Sequence, residues 1–171
     1  RYAQMPDDPN GIGKAAINKA LDYIERASAT ESALIQALRI FYDDEAIPDP
    51  DDRDLAYLSA MRALNQQFPA DPDIAALYAA SYMSIRRWDY WDGAGEPKSE
   101  TLQVAAALEK IIETDRTHPG VLHLHIHLIE ASRHPERAMV SANALEATVP
   151  IAGHVVHMPA HIYIRVGDYD R

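Results

Sequence analysis

Apolar and small residues along the chain fall into segments bounded by cap and proline signals, and the segments read as helices. Ile12–Arg26 forms a leading helix. Ser28-Ala29-Thr30-Glu31 has capping-box spacing and opens a second helix that runs to about Tyr42. Asp52–Phe68 gives its partner, closed by Pro69. Asp73–Ile85 and Ser99–Thr114 follow, the latter with Ser99 as the expected N-cap. Pro119–Ala131 comes next, with Pro119 suited to a first turn, and another helix carries the segment from Gly153 onward. Gly is scarce at 7 residues and alanines cluster, as in Ala105-Ala106-Ala107, which favours helices over strands.

The helices repeat. His134-Pro135-Glu136-Arg137 and Asp168-Tyr169-Asp170-Arg171 stand 34 residues apart, the period of the tetratricopeptide repeat. With one repeat set at 119–152, Ala138 takes the small-residue position of the second helix, Leu145 an apolar one, and Pro150 ends that helix. Ala160 and Tyr163 occupy packing positions of the next repeat, and Ala79 and Tyr82 the same positions of an earlier one. The expected fold is therefore all-α, a tetratricopeptide-like, right-handed solenoid of helical hairpins spanning 1–171 as one domain. An aromatic insertion at 87–98 interrupts it, and histidine-rich repeats fill 119–171.

Charge and composition narrow the function. The 171 residues carry a net charge of -10 with no Lys/Arg stripe, which argues against nucleic acid and anionic membrane as partners. No apolar run approaches the roughly 20 residues that cross a bilayer. The absence of Cys excludes disulfides, thiolate metal sites and a cysteine nucleophile. The acidic loop Asp43–Asp54 lacks the central Gly and terminal Glu of a calcium loop, and Gly11-Ile12-Gly13-Lys14 lacks full phosphate-loop spacing and reads as a helix start. The chain begins at Arg1-Tyr2-Ala3 and ends at Arg171 inside a repeat, so it is read as a fragment or processed form. A cytoplasmic or an exported location is left open.

The candidate chemistry is concentrated. All eight histidines lie between His118 and His161. His123, His127 and Glu130 are spaced by four and three residues, so they share one helix face; His154, His157 and His161 are spaced by three and four, followed by Arg165. Pro159 is expected to restart the helix and disturb the alignment of His154. In tetratricopeptide arrays the first helix of each hairpin lines a concave groove, and these residues fall on its ligand-facing positions. Imidazole is a neutral nitrogen ligand near pH 7 and suits Zn, Cu or Fe. The predicted metal ligands are thus His123, His127, His154, His157, His161 and Glu130. Glu130 alternatively orients a ligating imidazole or acts as general base, and Arg165 holds an anionic substrate group. Such a site serves metal-dependent hydrolysis or, with Cu or Fe, oxidation. A small molecule or peptide would occupy the groove. The alternative is a metal-free scaffold that binds protein or peptide. End-to-end assembly of copies is open to any such array.

His125 sits at a packing position and is expected in the core, and His118 and His134 at helix junctions as caps or exposed groups. Trp88-Asp89-Tyr90-Trp91-Asp92-Gly93 either packs over the edge by its rings or walls the groove, with Asp89 and Asp92 in reach of it.

Several of these marks occur together elsewhere. Trp88-Asp89-Tyr90-Trp91, His118-Pro119-Gly120, His123, Ile126-His127, Glu130, Pro135-Glu136-Arg137-Ala138, and Gly153-His154-Val155-Val156-His157-Met158-Pro159-Ala160-His161-Ile162-Tyr163 with Arg165 and Gly167 resemble a bacterial family of tetratricopeptide-repeat-like proteins. His125 stands where that family commonly has tyrosine. The resemblance covers residues 88–167 and implies the helical-repeat fold and further repeats beyond Arg171. It implies no particular reaction.

Overall fold

The computed structural model of the chain describes residues 11–148 and 152–170. Among these residues the chain is all-helical, with no strand beyond one isolated bridge between Trp91 and Pro97. The helices are α1 (Ile12–Leu21), α2 (Ala29–Phe41), α3 (Pro50–Gln67), α4 (Pro72–Arg86), α5 (Thr101–Thr114), α6 (Pro119–Ile129), α7 (Met139–Thr148) and α8 (Gly153–Val166). Short 3-10 turns, Ile24–Arg26 and Pro135–Ala138, follow α1 and lead into α7. Contacts divide the chain into two compact units, one ending at Pro69 and one beginning at Ala70.

In the first unit, α2 packs against α1 and α3. Its start is fixed as the sequence suggests: the Ser28 hydroxyl accepts from the Glu31 N–H, and the Glu31 carboxylate accepts from the Ser28 N–H. Asp49 caps α3, with Pro50 in the first turn. Gly11 caps α1 at φ 63°, and a Cβ on Gly13 would meet the Tyr42 ring at 2.5 Å, so the two glycines serve backbone shape and close packing. In the acidic loop, Lys14 pairs with Asp44 and Glu45.

In the second unit, α6 is the central element, packed against α4, α5, α7 and α8. From Val121 to Glu130 every residue is buried except the half-buried His123. A helix apolar on nearly all sides belongs in a core, and here Leu122, Ile126, Leu128 and Ile129 are each 0% exposed. The small residues Ala79 and Ala138 are likewise 0% exposed, and Tyr82, Leu145 and Tyr163 are buried beside them. Pro150 lies outside the described residues, as do Arg1-Tyr2-Ala3 and Arg171.

Two sequence expectations fail locally. Ser99 does not cap α5: it sits at φ +43°, the helix begins at Thr101, and no side chain caps it. The Thr101 hydroxyl is instead buried among the Tyr90 and Lys98 carbonyls and the Tyr82 hydroxyl, at 2.7, 2.7 and 2.8 Å. Those bonds join the insertion to α4 and α5. Thr101→Val is therefore expected to destabilise the protein by about 2 kcal/mol, measured by denaturant unfolding, because it leaves buried acceptors unsatisfied. Pro159 does not restart α8 either. The helix runs through it, with Met158, Pro159, Ile162 and Tyr163 buried in succession around it. Packing of that face outweighs the one backbone hydrogen bond a mid-helix proline removes.

The insertion is built on its aromatic residues. Arg87 and Trp88 adopt φ +41° and +75°, which turns the chain sharply off the end of α4. Tyr90 is buried, and the Trp91 indole N–H donates to the Leu128 carbonyl of α6 at 2.6 Å. The Arg133 side chain holds the far limb through the Ala94 carbonyl and Glu96.

Candidate metal centre

Helix α6 begins at Pro119, where the His118 Nδ1 accepts from the Val121 N–H at 3.1 Å. His118 is thus the cap its position suggests. From that start, His123, His127 and Glu130 emerge on the side facing α8, which supplies His154, His157 and His161. The rings converge. His123 Nε2 and His154 Nε2 are 3.0 Å apart, bringing α6 and α8 together at one point. His127 stands edge-on to His123, with ring centroids 4.8 Å apart, and is stacked on His154 at 6.0 Å. One donor atom from each of His123, His127 and His154 lies within 4.8 Å of the others. His154 is therefore aligned with the α6 ligands, contrary to the disturbance expected at Pro159.

A second donor group adjoins the first. Glu130, 9% exposed, receives His127 Nδ1 on one oxygen at 3.1 Å and His161 Nδ1 on the other at 2.6 Å. His127, Glu130 and His161 also bring one donor each within 4.8 Å of one another. Burial alone would raise the Glu130 pKa, but the two imidazole hydrogen bonds and their charges outweigh it and hold the carboxyl below its ordinary value. An ionised carboxylate only accepts, so both Nδ1 atoms carry the hydrogen. The lone pairs of His127 and His161 are then on Nε2.

The electrostatics suit metal binding. Burial, then repulsion from His154, His157 and His161, pushes His123 down to about 4. Burial also lowers His127 against the upward pull of Glu130, and burial and the neighbouring imidazoles lower His154. These three rings are neutral at pH 7, the form that binds a metal. In a tetrahedral site with bonds of about 2.0–2.1 Å, ligand nitrogens stand roughly 3.3 Å apart, close to the separation of the facing His123 and His154 nitrogens.

The remaining sequence candidates are placed as follows. His157 is exposed and joins neither donor group, though its ring lies 4.9 Å from His154 and 5.3 Å from His161. Arg165 is exposed on the rim of an open hollow of about 370 Å³ whose wall includes Glu130, His157 and His161. Asp89 pairs with Lys98, and Asp92 accepts from the Ala94 and Glu96 backbone. Both carboxylates are thus used inside the insertion and belong to neither donor group. His134 is exposed and bonded to Glu136.

Two features escape sequence reasoning. The Trp88 indole, 51% exposed, stands edge-on to His127 at 5.1 Å, so part of the insertion does border the histidines. His125 forms a Ser–His–Glu arrangement, with Nδ1 2.8 Å from Ser141 Oγ and Nε2 3.4 Å from Glu109. His125 and Ser141 are each 0% exposed, and Arg137 holds Glu109 at 2.7 Å, so the trio ties α6 to α5 and α7 within the packing. Compared with family models, curated proteins and solved structures, the chain shows no match.

Proposed function

We propose that this is a tetratricopeptide-like repeat protein of the bacterial family it resembles, and that it binds a transition metal ion through His123, His127 and His154. The observation that carries this reading is the approach of two imidazole Nε2 atoms to 3.0 Å across α6 and α8. In the metal-free protein one proton sits between them, and an ion takes its place. Glu130 orients His127 through Nδ1, the carboxylate–histidine pairing usual behind a metal ligand. The repeat reading is supported by α6 packing on both α4 and α8 as well as on its chain neighbours, as successive first helices of hairpins do.

Three protein ligands leave a coordination position open, the form of a catalytic site. Zn held there would supply the chemistry of hydrolysis, and Cu or Fe that of oxidation. Both Glu130 oxygens are already engaged by imidazoles, so Glu130 acts as an orienting or ligating group rather than as a free base. Arg165, beside the hollow, receives the anionic group of a small-molecule or peptide substrate. Trp88 forms a wall next to His127.

Metal analysis with melting curves tests this. Chelation is expected to lower the melting temperature, and Zn or Cu at 100 times Kd to restore about 2.7 kcal/mol. The double variant His123→Ala, His154→Ala should show a smaller response to added metal than the parent, and Cu should quench tryptophan fluorescence in the parent. A melting temperature indifferent to chelator and to both metals would leave a peptide-binding scaffold as the better reading.

A further inference from the structure

We infer that the histidine cluster holds two metal ions, with the His127 ring bridging them. The inference builds on the three-histidine site just proposed and adds a second ion at His127, Glu130 and His161. In each donor group one donor atom per residue lies within 4.8 Å of the others, and the two groups have one residue in common. One nitrogen serves one ion. His127 Nδ1 faces Glu130 at 3.1 Å, so an ion on that side takes Nδ1, and the ion on the His123 side takes Nε2. The two ring nitrogens point in different directions from one buried imidazole, which is what a bridge needs.

The setting of Glu130 supports the second ion independently. It is a carboxylate, 9% exposed, and among the described residues its ion-pair partners are two histidines, with no Lys or Arg. A buried carboxylate usually has a full positive charge or a metal beside it. A divalent ion between Glu130 and the two rings supplies that charge. The donors also differ. The first site is all nitrogen and suits Cu or Zn, while the carboxylate makes the second harder and suits Zn or Fe.

The proton balance is simple. On binding the second ion, the neutral His127 ring gives its remaining N–H proton to solvent and becomes a bridging imidazolate. His161 moves its proton from Nδ1 to Nε2 through solvent, with no net loss. Nothing is oxidised or reduced.

The test titrates the chelated full chain with Cu(II), with metal content and electron paramagnetic resonance read together. Two tightly held ions per chain are expected. The signal should rise with the first equivalent and fall well below the copper content with the second, because an imidazolate couples the two spins. His161→Ala should hold one ion with a full signal. The double variant His123→Ala, His154→Ala should also hold one, at the other site. Retained helicity by circular dichroism shows that these variants fold. One ion per parent chain at saturation overturns the bridge and leaves the single-site reading standing. Two ions with a full, uncoupled signal also overturn it. No bound ion would refute the underlying metal site itself.

Discussion

Glu130→Ala is expected to weaken metal binding at the three-histidine site by about 10- to 100-fold, the usual effect of losing the group behind a ligating histidine. It should also destabilise the metal-free protein by about 2 kcal/mol, since two imidazole N–H groups lose their acceptor, one of them on the buried His127. Glu130→Gln separates the two effects. An amide accepts with its oxygen and donates with its nitrogen, so it can receive only one of the two Nδ1–H groups. The other ring must change tautomer. His161 is half-buried and reaches solvent, so it switches more easily than His127. Glutamine is thus expected to keep most of the stability and most of the first site's affinity. Calorimetric titration with Zn on the parent and both variants gives the order parent, Gln, Ala. If Glu130→Ala bound Zn within threefold of the parent, the carboxylate would not be positioning His127.

The second large effect is on acid stability without metal. Burial and neighbouring imidazoles hold His123 near 4 in the folded protein, against 6.5 for the free side chain. Above pH 6.5 the ring is neutral in both states and adds no pH dependence. As pH falls below 6.5 the unfolded chain takes up the proton first, so stability is lost progressively until the folded ring also protonates near 4. One pKa unit is worth about 1.4 kcal/mol, and allowing for partial exposure we expect His123 to account for about 2 kcal/mol between pH 7 and pH 4.5. Carboxylates titrate in the same window, so the comparison is with His123→Gln, which cannot protonate there. The parent's melting temperature should fall more steeply than the variant's. Parallel curves would mean that His123 titrates as a solvated histidine.

Much of this was legible in the sequence where the cause is local. The Ser28–Glu31 capping box, the proline start of α6, and the facing of His123, His127 and Glu130 follow from spacing and backbone chemistry. What was not legible depends on contacts distant in the chain. Ser99 looked like a cap because serine usually caps, but Thr101 is drawn into the bonds that tie down Tyr90. Pro159 looked like a break because proline removes a donor, but the buried face of α8 carries the helix across it and brings His154 to His123. The insertion was visible as aromatic. That Trp91 would bond to α6, and Trp88 come to rest on His127, was not, because those partners lie about 40 residues away. Whether His157 would fall inside or outside a donor group also depends on how α8 docks.

His125 has a mechanical consequence. It leaves α6 on the side opposite His123 and His127, since two residues advance a helix by about 200°. There it is held by Ser141 on α7 and Glu109 on α5. These bonds pin the helix against rolling about its own axis. With side-chain tips about 5–6 Å from that axis, a roll of about 20° would carry a ring nitrogen about 2 Å, roughly ten times what a metal bond tolerates. A histidine outside both donor groups thus sets the precision of the rings inside them.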